Sequence, residues 1–267
     1  MRQPTFFLTH GAGPCFWVDL PMPFGRGAYD GLARHFEELL ANLPVRPKAV
    51  LVVSAHWEAY APTLSTAASP GMLFDYQGFP SQAYQLNYPA AGSPEVARRA
   101  LQLLHASGIE AAENAERGYD HGVFVPMLKI DPAAELPVVM MSLDGRLDAE
   151  HHLAVGRAIA PLRDEGVLII GSGSSYHGLR HIWDGQPTAS IQFDDWLHDT
   201  VASDGPERRR RLADWTMAPS GMRCHPRPEH LLPLMVAAGA GLDEPGKGTF
   251  RELIGGKVYS CFRFGDA

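Results

Sequence analysis

Five histidines in this chain stand beside glycine or border an apolar run, positions where an imidazole can meet a ligand. They are His10, His56, His121, His177 and His230. Taken singly, a histidine of this kind is more often a hydrogen-bonded structural residue than a ligand. Together, converging neutral imidazoles suit Fe, Zn, Cu or Ni. The set therefore directs attention to a metal centre.

A carboxylate could complete such a ligand set. Glu58 follows the second of these histidines by two residues, and Glu229 directly precedes the last. Two histidines with one carboxylate form a common facial metal site. Spacing alone separates neither the possible metals nor a redox site from a hydrolytic one.

The histidines must be positioned by the elements that precede them. Short apolar runs at Thr5–Thr9, Ala49–Glu58 and Val167–Ile170 are typical of strands buried on both faces. Parallel strands of an open α/β sheet bring their carboxyl ends to one crevice. We therefore expect His10, His56 and His177 to converge at one edge of a sheet.

The other two histidines are expected at the starts of helices. His121 precedes the apolar stretch Val123–Ile130, which we interpret as a short helix. Pro228 suits the first position of another helix, which would place His230 in its first turn.

The order of strands and helices predicts an α/β fold. Helices are expected over Tyr29–Leu43, from Ser93-Pro94 to Ser107, and from Asp148 to Glu165, and a final strand with one exposed face over Lys257–Phe264. We predict a single catalytic domain over residues 1–267, with a mostly parallel sheet flanked by helices and the active site at the carboxyl ends of the strands. His151 and His152 are interpreted as solvated helix residues.

The segment Pro62–Gly92 is rich in Pro, Gly, Tyr and Phe. A loop this long is usually functional or disordered, and its aromatic content disfavours disorder. Two interpretations stay open here: a wall or lid for an aromatic ligand, or a loop packed down by its own aromatic residues.

Composition excludes several classes of partner. The chain of 267 residues has a net charge of -7 and a pI near 5.9, which disfavours binding to nucleic acid. The basic cluster Arg208–Arg211 is interpreted as a solvated helix face. No apolar run suggests a membrane span or a secretory signal. Cys15, Cys224 and Cys261 lie far apart, as expected for reduced thiols in a cytoplasmic protein.

Five motifs in order resemble a known family. They are THGAGP at His10, VVSAHWE at His56, YDHG at His121, GSGSSYHGLR at His177 and HPRPEHLLP at His230. The combination is similar to the class III extradiol ring-cleaving dioxygenases, in the branch that includes the DOPA 4,5-dioxygenases. The resemblance covers nearly the whole chain.

The resemblance implies one mononuclear non-haem Fe(II), with Zn(II) able to occupy the same site. The implied metal ligands are His10, His56 and His230. The implied catalytic residues are His177, as an acid/base group that could also be a fourth ligand, and His121, which would meet substrate or oxygen. We expect His225, Tyr119 and Ser174 to bind substrate or to support the site. THGAGPCFW replaces the serine-containing HGSP of many relatives, so the pocket beside His10 is expected to differ.

The implied activity is extradiol cleavage, with O2, of a small catechol that is DOPA-like or related, giving a muconic semialdehyde-type product. The partners would be a small aromatic diol and O2. Two alternatives stay open: a zinc-dependent hydrolase that uses the same histidines, and a non-catalytic metal-binding or interaction protein of the same fold.

Overall fold

A computed structural model describes residues 1–265, which form an eight-stranded sheet flanked by helices. The strands are β1 (Thr5–Thr9), β2 (Ala49–Ala59), β3 (Thr63–Ser65), β4 (Ala112–Asn114), β5 (Val138–Asp144), β6 (Val167–Gly173), β7 (Gly246–Ile254) and β8 (Lys257–Phe264). The helices are α1 (Asp30–Glu37), α2 (Pro94–Ala106), α3 (His121–Ile130), α4 (Ala149–Ile159), α5 (Thr188–Ala202), α6 (Gly205–Ala213), α7 (Gly221–Cys224) and α8 (Leu232–Ala240).

The sheet has the order β4-β3-β5-β2-β6-β1-β8-β7. Its centre, β5-β2-β6-β1, is parallel throughout, and β8 and β7 extend it antiparallel. The central strands are apolar along their length because helices cover both faces. The predicted single-domain α/β fold with a mostly parallel sheet is confirmed. Among residues 1–265, no helix combines the length and apolarity needed to cross a membrane.

Three predicted elements differ from the structure. The first helix ends at Glu37, because the chain tightens there into a turn in which Leu39 N–H donates to Phe36 C=O. Pro228 does not begin a helix: the carbonyl of His230 accepts from Ser174 N–H instead, and α8 starts at Leu232. The prediction of an exposed face on β8 is wrong, since seven of its eight residues are buried beneath the flanking helices.

The basic cluster is only partly a solvated face. Arg208 is 1% exposed, and its guanidinium donates to the carbonyls of Val201, Ser203, Leu242 and Glu244. These four carbonyls satisfy the hydrogen-bond donors of the buried guanidinium. Amino-acid composition alone does not predict this burial.

The interpretation of His152 as a solvated residue is also wrong. Its Nδ1 donates to Asp148 C=O at 2.6 Å, and its Nε2 accepts from Asp144 N–H at 3.2 Å. Burial lowers the pKa of His152 from its ordinary 6.5 to about 4. The imidazole is therefore a neutral link between β5 and the start of α4.

This link makes stability depend on pH. As pH falls from 6.5 towards 4, the unfolded chain binds a proton at His152 that the folded chain does not, so the free energy of unfolding decreases. This one group accounts for a loss of about 2.5 kcal/mol between pH 7 and pH 4.5. His152→Gln is expected to reduce the pH-dependent loss by that amount in urea unfolding at the two pH values. His105→Gln, at an exposed position, should keep the wild-type loss, and an equal loss in His152→Gln would contradict the assignment.

Candidate active site

A cavity of about 190 Å³ opens at the carboxyl edge of the parallel strands. The cavity is lined by all five histidines that the sequence analysis identified: His10, His56, His121, His177 and His230. His10 and His177 lie in the loops after β1 and β6, His56 lies on β2, His121 begins α3 and His230 precedes α8. The structure thus brings together side chains that are up to 220 residues apart in the chain.

The registers of the strands explain how the histidines reach the cavity. β2 pairs with β6 only as far as Ser54 opposite Ser172, and its register with β5 shifts between Val53 and Glu58. His56 lies in this irregular part of β2, so its side chain is free to turn inwards. His10 directly follows β1, and its N–H donates to Gly173 C=O at 3.0 Å.

Three imidazole nitrogens meet at the base of the cavity. His56 Nε2 lies 3.1 Å from His10 Nε2 and 3.3 Å from His230 Nε2. A neutral imidazole carries a single ring proton. In His10 and His230 this proton is on Nδ1, where Ser172 and Glu229 accept it. At most one proton, that of His56, is then available for these two contacts, so at least one of them brings two unprotonated nitrogens together.

The other ring nitrogens of His10 and His230 fix this arrangement. His10 Nδ1 lies 3.0 Å from Ser172 Oγ, and that hydroxyl donates its own proton to Gly122 C=O. Ser172 therefore accepts from His10 Nδ1–H, which leaves Nε2 unprotonated. His230 Nδ1 donates in the same way to Glu229 Oε1 at 2.9 Å.

Burial keeps these imidazoles neutral. Desolvation, with the neighbouring histidines, holds the pKa of His10 and of His56 well below the ordinary value. Burial also lowers the pKa of His230 to about 4, although the Glu229 carboxylate acts in the opposite direction. Near pH 7 the site thus presents uncharged nitrogen donors, the form in which histidine binds metals.

Asp75 is a site residue that the sequence analysis missed. Its Oδ1 accepts from His121 Nδ1 at 2.7 Å and from His121 N–H at 3.0 Å, and its Oδ2 lies 3.7 Å from His56 Nδ1. Burial raises the pKa of Asp75, but the hydrogen bonds from His121 outweigh it and the pKa is lowered overall. The one available signal was a lone acidic residue within an otherwise aromatic stretch.

The segment Pro62–Gly92 agrees with the second interpretation, a loop packed down by its own aromatic residues. It contains β3 and a short 3-10 turn at Ser81–Gln85. Tyr76 packs against the rings of Phe79 and Tyr84 and lies 5.7 Å from the ring of His121. The segment is thus packed by its own aromatic residues and supports the site from behind, without lining the cavity.

Glu229 lies between two histidines rather than among the converging donors. Its Oε1 is 3.0 Å from His177 Nδ1 and 2.9 Å from His230 Nδ1, and the rings of these histidines stack with centroids 3.4 Å apart. Burial raises the pKa of Glu229, but the hydrogen bonds from both histidines hold it below the ordinary value. Glu58 points away and pairs with Arg227 at 2.5 Å.

The remaining predicted residues divide into two groups. Ser174 lines the cavity, and its hydroxyl donates to Tyr176 C=O at 2.8 Å. Tyr119 and His225 do not reach the cavity. The Tyr119 hydroxyl donates to Val138 C=O at 3.0 Å, and His225 Nε2 donates to Ser175 C=O at 3.0 Å. Both therefore hold backbone behind the site.

Comparison with known proteins places this fold and site in a family. Residues 4–260 match the family described as the catalytic LigB subunit of aromatic ring-opening dioxygenase. A Portulaca grandiflora protein named 4,5-DOPA dioxygenase extradiol is 41% identical over 261 residues, which cover 94% of this chain and 90% of the relative. A protein of the same name from Escherichia coli K12 is 34% identical, covering 90% of this chain and 85% of the relative.

A solved structure shows the same architecture. The crystal structure of an uncharacterized protein from Escherichia coli K12 superposes with a TM-score of 0.79 at 30% sequence identity, covering 99% of this chain and 100% of the other.

The chain therefore belongs to the LigB family of aromatic ring-opening dioxygenases. The prediction of a class III extradiol ring-cleaving dioxygenase is confirmed, and the hydrolase and non-catalytic alternatives are not favoured. The family is metal-dependent, and the histidine cluster could bind one metal ion.

The carboxylate behind His177 and His230 should influence metal binding. Glu229→Gln is expected to weaken Zn(II) binding by about tenfold, because a neutral amide makes the ring that it contacts a poorer donor. Competition with a chromophoric chelator at pH 7 measures the change. Glu110→Gln, at an exposed position, is the matched control. Equal affinities for Glu229→Gln and the wild type would show that this carboxylate does not tune the donor set.

Proposed function

We propose that the protein uses one Fe(II) ion to cleave a small catechol with O2, and that His10, His56 and His230 hold the ion. The observation that carries this proposal is the convergence of three Nε2 atoms, two of which have their second ring nitrogen fixed by Ser172 and Glu229.

The spacing of the donors fits a bound metal. Imidazole nitrogens bind at about 2.0–2.1 Å from a metal, so neighbouring donors at tetrahedral or facial positions lie roughly 3.0 to 3.4 Å apart. The contacts from His56 Nε2, at 3.1 Å to His10 and 3.3 Å to His230, lie in this range. Three neutral donors leave the full charge of the ion in place, which favours a catecholate anion and also lets zinc bind readily.

When bound, iron supplies open coordination positions and transfers electron density between the catechol and O2. The protein's own residues orient the ring beside the donor set and control its protons. The cavity of about 190 Å³ matches a small single-ring substrate. Relatives named 4,5-DOPA dioxygenase extradiol support a catechol related to DOPA, and the product would be a muconic semialdehyde-type compound.

His177 acts as the acid/base residue. Its side chain lines the cavity, and Glu229 Oε1 accepts from its Nδ1, so Nε2 is directed away from Glu229. From there it takes a proton from the second hydroxyl of the catechol and later returns it to the opening ring. Direct binding to the metal as a fourth ligand is a secondary role for His177.

His121 assists at the opposite side of the cavity. Asp75 holds its Nδ1, which leaves Nε2 to meet the substrate or O2. Ser174 contacts the substrate, whereas Tyr119 and His225 support the site through the backbone that they bind.

We also propose that the enzyme acts in the cytoplasm. The three cysteines, Cys15, Cys224 and Cys261, are buried free thiols, which suits a reducing compartment.

Activity provides the first test. Protein reconstituted anaerobically with Fe(II) is expected to take up O2 on addition of a catechol and to form a yellow ring-opened product. Oxygen consumption and absorbance measure the reaction across a panel of catechols, with apoprotein as the control. If fully iron-loaded protein consumed no O2 with any catechol, the proposal would be refuted.

Removal of the acid/base residue provides the second test. His177→Ala is expected to retain iron, since three other imidazoles hold it, while kcat falls by about 10²- to 10⁴-fold. Metal analysis and oxygen uptake measure the two effects. His105→Ala, at an exposed surface histidine, should behave as the wild type. Unchanged turnover in His177→Ala would remove that residue from its role.

A further inference from the structure

Two side chains hold the backbone of His56 at a point where the pairing of β2 is interrupted. β2 pairs with β6 as far as Ser54, and it pairs with β5 up to Val53 and again from Glu58. In the part of the chain that the structure describes, neither neighbouring strand has a residue in register with His56. Its N–H donates to Ser54 Oγ at 3.2 Å, and its C=O accepts from Arg117 Nη2 at 3.0 Å.

One buried carboxylate joins these two side chains. Asp120 is fully buried, and its Oδ1 accepts from Ser54 Oγ at 2.7 Å. Its Oδ2 accepts at 3.1 Å from Arg117 Nη2, the same nitrogen that donates to His56 C=O. Ser54, Arg117 and Asp120, here called the Asp120 network, therefore enclose the backbone of His56 from both sides.

Asp120 also connects this network to the helix that carries His121. Aspartate at the position before a helix commonly accepts a hydrogen bond from a backbone N–H of the first turn. Asp120 precedes α3, yet within the described chain its carboxylate makes no capping hydrogen bond. Its backbone C=O begins the helix by accepting from Phe124 N–H at 2.9 Å. The backbone of Asp120 thus starts the helix of His121, while its side chain holds the strand of His56.

Gly122 lets α3 lie directly against the network. A Cβ at Gly122 would lie 2.6 Å from Ser54 Oγ. It would also lie 3.2 Å from Asp120 Oδ1 and from His56 Cδ2. Because helix and strand approach this closely, the rings of His56 and His121 lie with their centroids 3.8 Å apart.

The guanidinium of Arg117 is itself held in place. Its Cζ lies 4.9 Å from the centroid of the buried Trp57 ring. The backbone N–H of Arg117 donates to Asn114 Oδ1 at 2.8 Å, which fixes the loop after β4. A guanidinium is planar, stacks on aromatic faces and directs its N–H groups rigidly. The donor that reaches His56 C=O is therefore fixed in direction as well.

We infer that Arg117 and Ser54 are positioning residues for the metal site, and that they act on His56 through its backbone. The inference rests on the proposed binding of the metal by His56. Contacts that orient a metal ligand from outside the ligand set commonly change metal affinity by about 10- to 100-fold when they are removed. Without them, His56 Nε2 would no longer be held at 3.1 Å and 3.3 Å from Nε2 of His10 and His230.

Zinc affinity tests the inference without requiring turnover. Arg117→Met keeps a long side chain over Trp57 but removes every hydrogen-bond donor. Its Kd for Zn(II), measured at pH 7 by competition with a chromophoric chelator, is expected to be about tenfold higher than that of the wild type. Arg34→Met, at an exposed position, is the matched control and should bind zinc as the wild type does.

A double-mutant cycle separates positioning from a general loss of stability. Ser54→Ala removes the acceptor for His56 N–H and is expected to raise the Kd for Zn(II) by about fivefold, the size of one hydrogen bond. Both side chains act on His56 and meet at Asp120, so the combined variant should lose less affinity than the product of the two single losses.

Cobalt provides a second readout, because the visible absorption of Co(II) depends on the geometry of its ligands. The band intensities of Co(II)-loaded Arg117→Met are expected to differ from those of the wild type. Co(II)-loaded Arg34→Met should keep the wild-type spectrum. A change in stability alone would leave the spectrum of the folded protein unaltered.

The outcomes separate this inference from the proposed function. Wild-type zinc affinity in folded Arg117→Met would overturn the inference, as would single losses that simply multiply in the combined variant. If Arg117→Met did not fold, wild-type affinity in Ser54→Ala would overturn it equally. His56→Ala tests the ligand itself: wild-type zinc affinity there would refute the proposed ligand set. Absence of O2 uptake with every catechol would refute the proposed activity, and the zinc measurements would still decide the role of Arg117.

Discussion

The close approach of three imidazole nitrogens is the interaction on which the rest of the site depends. His56 Nε2 lies 3.1 Å from His10 Nε2 and 3.3 Å from His230 Nε2. Lone pairs this close repel unless a cation or a proton lies between them. The fold imposes the arrangement through Ser172 and Glu229, which fix two of the rings from behind. Because the rings are also desolvated, the site is prepared for a metal before one binds.

The site contains two similar groups, each formed by one carboxylate and two histidines. The contacts join Asp75 to His121 and, at 3.7 Å, to His56, and join Glu229 to His177 and His230. Each carboxylate thus backs one proposed metal ligand and one histidine proposed to act on substrate or oxygen. This coupling links the proposed metal ligands to the histidines proposed to move protons, so a change at either carboxylate is expected to affect both functions.

Local sequence patterns predict much of the fold, but few of the residues that hold the site histidines in place. The apolar runs before His10 and His56 predict the central strands because such runs have a local signature. Asp75 has none: it meets His121 across 46 residues of sequence. Ser172 lies beyond the predicted run Val167–Ile170, yet it belongs to β6 and orients His10. The contact of His152 with Asp144 at the end of β5 likewise depends on how the start of α4 meets that strand, which the helical pattern alone does not reveal.

Crystals soaked anaerobically with Fe(II) give the most direct test of the metal site. Anomalous diffraction at the iron edge locates the ion independently of any assumption about its ligands. A single strong peak is expected about 2.1 Å from Nε2 of each of His10, His56 and His230, with Glu229 and Asp75 outside bonding distance. A peak bound instead by the Glu229 carboxylate, or iron at a site without these three nitrogens, would contradict the proposed ligand set.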